Sequence, residues 1–243
     1  MFEEYWFISA YVGLLLVYPF LNILMSQLNN KKWLCLISVL TIMLSIIPTV
    51  FYKGLWNSNL MWFIYMYLLG GALRNYENEI STLLFKHHLT WKRLTLITFL
   101  IIVSTIIALD LMGEYLKIEI IAKKSIYFTS MENILSLLLT ISLFMYFNSI
   151  TIKNNRFINT IASSTLGVYM LHMFPNSTNF IWRDIFNSNK YYDSSFASLI
   201  INSIVSITVA TLCMMIISLF VDQCIFKVYD KLMNIFLERI KHK

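Results

Sequence analysis

The spacing of its charges limits this chain more than any other feature. Seven long intervals contain no Asp, Glu, Lys or Arg: Tyr5–Asn30, Trp33–Tyr52, Gly54–Leu73, Leu94–Leu109, Asn133–Ile152, Phe157–Trp182 and Ser194–Val221. A helix that crosses a bilayer needs about 20 mostly apolar residues, with a range of roughly 17–25. Six intervals reach that length directly, and the fourth reaches it once Leu111 and Met112 are added. Strands of a membrane barrel are about 10 residues long and alternate in polarity, which these runs do not. Composition agrees. Only 13% of the 243 residues are charged and the mean hydropathy is +0.67, whereas a soluble domain carries roughly a quarter charged residues. The expectation is an all-α membrane protein, a polytopic bundle of about seven transmembrane helices forming a single domain over residues 1–243 in the plasma membrane.

The net charge of +6 raises the question of nucleic acid, and its distribution answers it. If the seven runs are helices, one side of the bilayer carries Lys31, Lys32, Arg74, Lys86, Lys92, Arg93, Lys153, Arg156 and the five basic residues from Lys227 to Lys243. The other side carries Lys53, Lys117, Lys123, Lys124, Arg183 and Lys190. Cytoplasmic loops hold the excess of Lys and Arg, so the C-terminus is placed inside and the N-terminus outside. The basic excess is a topology signal, with no nucleic-acid partner implied. Glu3 and Glu4 stand where a cleavable signal peptide would carry positive charge. Residues 222–243 alternate apolar and basic residues, which suits either an amphipathic cytoplasmic tail on the inner leaflet or a continuation of the last helix. Cys35, Cys213 and Cys224 lack metal-ligand spacing and read as small apolar packing residues; no metal is expected.

No Walker loop, GxGxxG, HExxH or GxSxG motif is present. The informative features are polar residues inside hydrophobic runs, which are costly in a bilayer and usually face the bundle interior. In the sixth run Thr165, Tyr169, His172 and Asn176 follow at spacings of four, three and four, so they share one helix face. That stripe ends at an imidazole near the outer end of the helix. His172 reads either as a general base for a hydroxyl acceptor or as an interfacial histidine held by a hydrogen bond. Arg183, flanked by Trp182 and Asp184, reads either as a ligand for an anionic group or as an anchor paired with Asp184. Arg74 ends the third run at the inner face, where it serves either a phosphate of a cytoplasmic donor or topology alone.

Three segments, in order and at matching spacing, carry a resemblance. Tyr5-Trp-Phe through Tyr18-Pro-Phe-Leu-Asn22, Trp62-Phe-Ile-Tyr-Met-Tyr-Leu-Leu-Gly-Gly-Ala-Leu-Arg74, and Ser163-Ser-Thr-Leu-Gly-Val-Tyr-Met-Leu-His172 with Pro175 and Phe180-Ile-Trp182 resemble segments of the acyltransferase-3 family. These are integral membrane O-acetyltransferases of bacterial surface polysaccharides. The resemblance covers nearly the whole chain and implies an acetyl-CoA donor, no permanently bound cofactor, and a glycan or lipid-linked saccharide as acceptor. It implies that His172, Tyr169 and Thr165 line the acceptor side with Arg183 nearby, and that Arg74 contacts the donor. In the family about three further helices precede the Tyr-Trp-Phe helix and bear a histidine and an arginine–histidine pair that are taken to do the chemistry; nothing here corresponds to them, so the resemblance transfers no residue as catalytic. The chain therefore resembles the C-terminal seven helices only, and reads either as an enzyme that works with a separate N-terminal fragment or as a remnant without activity. The alternative function is a small multi-pass transporter or flippase component for a lipid-linked glycan. Such proteins show internal repeats and broken midplane helices, and the six glycines do not recur in matching positions.

Overall fold

A computed structural model describes residues 5–51, 58–118, 124–151, 153–174, 177–187, 190–191, 195–221 and 227. Of these, 86% are helical and none is in a strand, as a chain that must satisfy its own backbone in lipid requires. The helices are α1 (Trp6–Gln27), α2 (Asn30–Phe51), α3 (Asn59–Asn75), α4 (Glu77–Lys86), α5 (Trp91–Leu116), α6 (Ile134–Asn148), α7 (Arg156–His172) and α8 (Phe196–Val221). Their starts follow local chemistry. The side chains of Asn29, Ser58, Thr90, Asn133 and Asn155 each accept a hydrogen bond from a backbone N–H in the first turn of the helix that follows.

Five segments are long and apolar enough to cross a membrane: Trp6–Gln27, Asn30–Phe51, Trp91–Leu116, Ser125–Asn148 and Ala197–Val221. The chain is an all-helical membrane protein. The third and sixth charge-free runs form the shorter helices α3 and α7, 17 residues each, or about 26 Å at 1.5 Å per residue. The sixth run is not one continuous helix. It stops at His172, bends at Phe174 and resumes as Ser177–Asn179 and a π-helical turn, Phe180–Ile185. Pro175 lies in the break and disfavours the helical conformation in the residue before it. The fourth run, conversely, extends past Asp110 and Glu114 to Leu116. It stops at Lys117, whose left-handed φ of 54° lets the N–H of Ile118 reach the carbonyl of Gly113. The amphipathic tail from residue 222, and Pro175 and Asn176, lie outside the described residues apart from Lys227.

The helices gather into two compact units, one of residues Trp6–Thr151 and one of the helices that follow residue 152. In the first, Leu21, Trp33, Ile37, Leu44, Trp62, Tyr65, Leu68, Leu69, Ala72 and Leu137 form the buried cluster. Lipid tails are as apolar as leucine, so such helices are held by close packing and interhelical hydrogen bonds. The hydroxyls of Thr41 and Tyr65 lie 2.9 Å apart, and the Tyr67 hydroxyl donates to Asn22 Oδ1 at 2.7 Å. In α2, Pro48 would clash with the carbonyl four residues back; that residue, Leu44, lies in a π-helical turn, Ile42–Ile46. Tyr127 Oη donates to the carbonyls of Pro48 and Thr49, at 2.5 and 2.7 Å.

In the second unit α7 and α8 pack through small residues. Ser218 Oγ donates to the carbonyl of Ser164 at 3.3 Å. A Cβ placed on Gly167 would overlap Ser218 Oγ and come within 2.7 Å of Ser218 Cβ. The Gly167→Leu chain should therefore lose roughly 1–3 kcal/mol of stability by overpacking, read as a lower thermal unfolding midpoint in detergent. An unchanged midpoint would mean that α7 and α8 do not pack this way.

Candidate functional site

Within the Trp6–Thr151 unit, a cavity of about 520 Å³ opens between α3, the start of α4 and α6, lined by Met66, Tyr67, Gly70, Gly71, Arg74, Glu77, Phe144, Met145 and Asn148. Ligand pockets commonly measure roughly 300–1,000 Å³. The lining is graded along α3. Met66, Gly70 and Arg74 are spaced four apart, so they lie on one helix face, running from an apolar interior to a charged end at the helix C-terminus. Arg74 is exposed and makes no hydrogen bond or ion pair with another described residue. The nearby carboxylate is engaged elsewhere: Asn148 Nδ2 donates to Glu77 Oε1 at 3.0 Å. An uncommitted guanidinium offers five donors in a planar fork that matches a phosphate.

The second candidate group lies in the unit that follows residue 152. Asn155 starts α7 by accepting from the N–H groups of Phe157 and Ile158, and the helix then carries Thr165, Tyr169 and His172 along one face. Thr165 is exposed, and its hydroxyl donates back to the carbonyl of Ala162 at 2.7 Å, leaving it an acceptor for anything external. Tyr169 is half-buried. His172 is the last residue of α7. Its carbonyl accepts from Ser177 Oγ at 2.7 Å and Thr178 Oγ1 at 3.3 Å, which closes the chain over the helix end. Its ring meets Trp182 edge-on, with centroids 6.1 Å apart, while its nitrogens bond no described residue. Trp182 in turn lies 6.1 Å from Phe186.

Arg183, on the π-helical turn, donates from Nε to Asp184 Oδ1 at 2.8 Å. That hydrogen bond and charge raise the arginine's pKa and hold the Asp184 carboxyl below its ordinary value. The carboxyl's folded pKa is thus depressed, so the pairing is complete above the ordinary aspartate range and lost as pH falls through the lowered value. Both side chains are solvent-exposed, which makes the pair a weak stabiliser. Arg183→Gln should raise the Asp184 pKa toward the ordinary value in an NMR titration; no movement would deny the contact in solution.

The structure thus brings His172, Tyr169 and Thr165 onto one helix face and sets Arg183 a short way along the chain with its own counter-ion. Arg74 belongs to a separate group. Sequence reading missed Gly70, Glu77, Phe144, Met145 and Asn148, which three helices bring together, and Trp182 as the neighbour of the imidazole. Among the described residues no cluster of His, Cys, Asp and Glu is arranged to hold a metal.

Compared with known proteins, the chain matches the family described as an acyltransferase domain over residues 1–222. No curated protein and no solved structure matches it.

Proposed function

The chain belongs to the acyltransferase-3 family, and from that membership we propose that it serves the transfer of an acetyl group from acetyl-CoA to a sugar hydroxyl of a cell-surface or lipid-linked glycan. The observation that carries the donor half is Arg74, an uncommitted cation in a ligand-sized cavity. The charge distribution along the sequence assigns this end of α3 to the cytoplasm, where a nucleotide thioester is dissolved. Arg74 meets a phosphate of the donor.

On the acceptor side His172 is the residue that takes the proton of the sugar hydroxyl; in the overall transfer the hydroxyl oxygen attacks the acetyl carbonyl. The C–S bond breaks, an ester forms, and the departing thiolate takes up a proton. No oxidant or further reactant is consumed. Tyr169 and Thr165 line the approach to the imidazole, and the Arg183–Asp184 pair supplies a donor and an acceptor for neighbouring hydroxyls.

The test is surface-polysaccharide O-acetylation, read by proton NMR in a strain deleted for this gene and complemented with the 243-residue chain. Loss of the acetyl signal on deletion and its return on complementation supports the reading. An acetyl signal unaltered by deletion overturns it for that glycan.

A further inference from the structure

Two adjacent glycines in α3 have different surroundings. A Cβ on Gly71 would meet Trp33 at 3.1 Å and the sulfur of Met25 at 3.2 Å, so Gly71 is explained by close packing against its neighbours. A Cβ on Gly70 would meet nothing within 4 Å. Neither glycine has a positive φ, so no backbone conformation demands glycine, and alanine would favour the helix more. What Gly70 borders is the cavity of Met66, Arg74, Phe144 and Met145.

We propose that Gly70 is the open wall of an amphipathic ligand site, whose occupant places a phosphate on Arg74 and an uncharged portion over Gly70 toward Met66, Phe144 and Met145. Gly70 lies one helical turn deeper than Arg74, about 6 Å along the axis. A phosphate held at the mouth therefore directs whatever is attached to it past the missing side chain. Glu77 also lines the cavity; it accepts a hydrogen bond from Asn148 and makes no ion pair with Arg74, whose N–H donors stay open to the ligand. A phosphate joined to an apolar segment has two sources, a water-soluble nucleotide thioester and a phospholipid. Identifying the occupant with the acyl donor rests on the function proposed above; the site itself does not.

The experiment measures binding to the full chain, purified in detergent, of acetyl-CoA, inorganic pyrophosphate and a short-chain phosphatidylglycerol. It compares wild type with Gly70→Leu, Arg74→Ala and the double variant Gly70→Leu/Phe144→Ala. Gly70→Leu should weaken the amphipathic ligand at least tenfold while leaving pyrophosphate binding intact, and should not lower the thermal unfolding midpoint, because the new side chain enters empty space. Arg74→Ala should weaken both. Removing the Phe144 ring beside the new leucine should restore part of the lost affinity, which a merely misfolded variant would not show. If acetyl-CoA binds wild type and Gly70→Leu equally, the role of Gly70 is overturned while the donor reading stands. If phosphatidylglycerol alone binds, and Gly70→Leu removes it, the site stands and the donor reading falls. If wild type binds none of the three ligands, both fall.

Discussion

Replacing His172 by alanine should lower the rate of acetyl transfer by about 10²–10⁴-fold, the usual contribution of a positioned general base. The expectation rests on three features. The imidazole ends α7, its nitrogens bond no described residue, and its ring is kept in place by the edge of Trp182 at 6.1 Å. A sugar hydroxyl is a poor nucleophile while it holds its proton, so the group that accepts that proton carries a large part of the barrier. The loss should fall on kcat and kcat/KM alike, since proton acceptance develops in the transition state. His172→Gln keeps hydrogen bonding without the basic nitrogen and should be impaired like alanine. Trp182→Ala should give a smaller loss, because it frees the ring without removing the base. The rates are to be read in a strain in which the chain supports acetylation, with membrane levels matched between variants. Full activity of His172→Ala would remove this residue from the mechanism.

Arg74→Ala should act differently, raising the KM for acetyl-CoA by roughly 10–100-fold with a smaller change in kcat. A hydrogen bond to a charged group contributes about 1.5–3 kcal/mol, and each 1.4 kcal/mol is a factor of ten in affinity. The cost should reach this range because no other described residue hydrogen-bonds or ion-pairs with the guanidinium. Arg74→Lys should recover only part of the affinity, since a point charge replaces a planar fork. The wild-type affinity should fall with added salt, because the arginine is exposed and screened. An unchanged KM in Arg74→Ala would leave the residue a topology anchor and nothing more.

Both predictions concern residues that single-sequence reasoning reached, and the reason is the bilayer. In hydrocarbon a backbone must pair with itself, and a charge is expensive. The charge-free runs therefore lay out the helices almost unaided. Asn29, Thr90, Asn133 and Asn155 cap the first N–H groups of the helices that follow them, a signal that the charge spacing does not use. The polar face of α7 was also legible, as helical spacing alone puts Thr165, Tyr169 and His172 in line. Boundaries were less legible. Asp110 ended the fourth run by the charge criterion, yet the helix continues to Leu116, because charges beyond the hydrocarbon cost little. The sixth run held no charge to show that it breaks after His172, and only Pro175 marked the place.

The cavity beside Arg74 could not be read from the chain in order. Met66, Gly70 and Arg74 lie on one helix, but Glu77 comes from the next, and Phe144, Met145 and Asn148 arrive from α6, some seventy residues on. Nothing local distinguishes Gly70 from Gly71; only their neighbours do, one glycine lying against Trp33 and Met25 and the other facing open space. Whether Arg74 and Arg183 are free to take a ligand is likewise a matter of contacts, since one has no partner among the described residues and the other is held by Asp184. The sequence by itself determined that this is an all-helical membrane protein and which helix face carries the imidazole, because transfer free energy and helical periodicity act on each segment separately. The tertiary structure decided where space remains and which charges stay uncommitted, because voids and counter-ions depend on side chains that meet only after the helices pack.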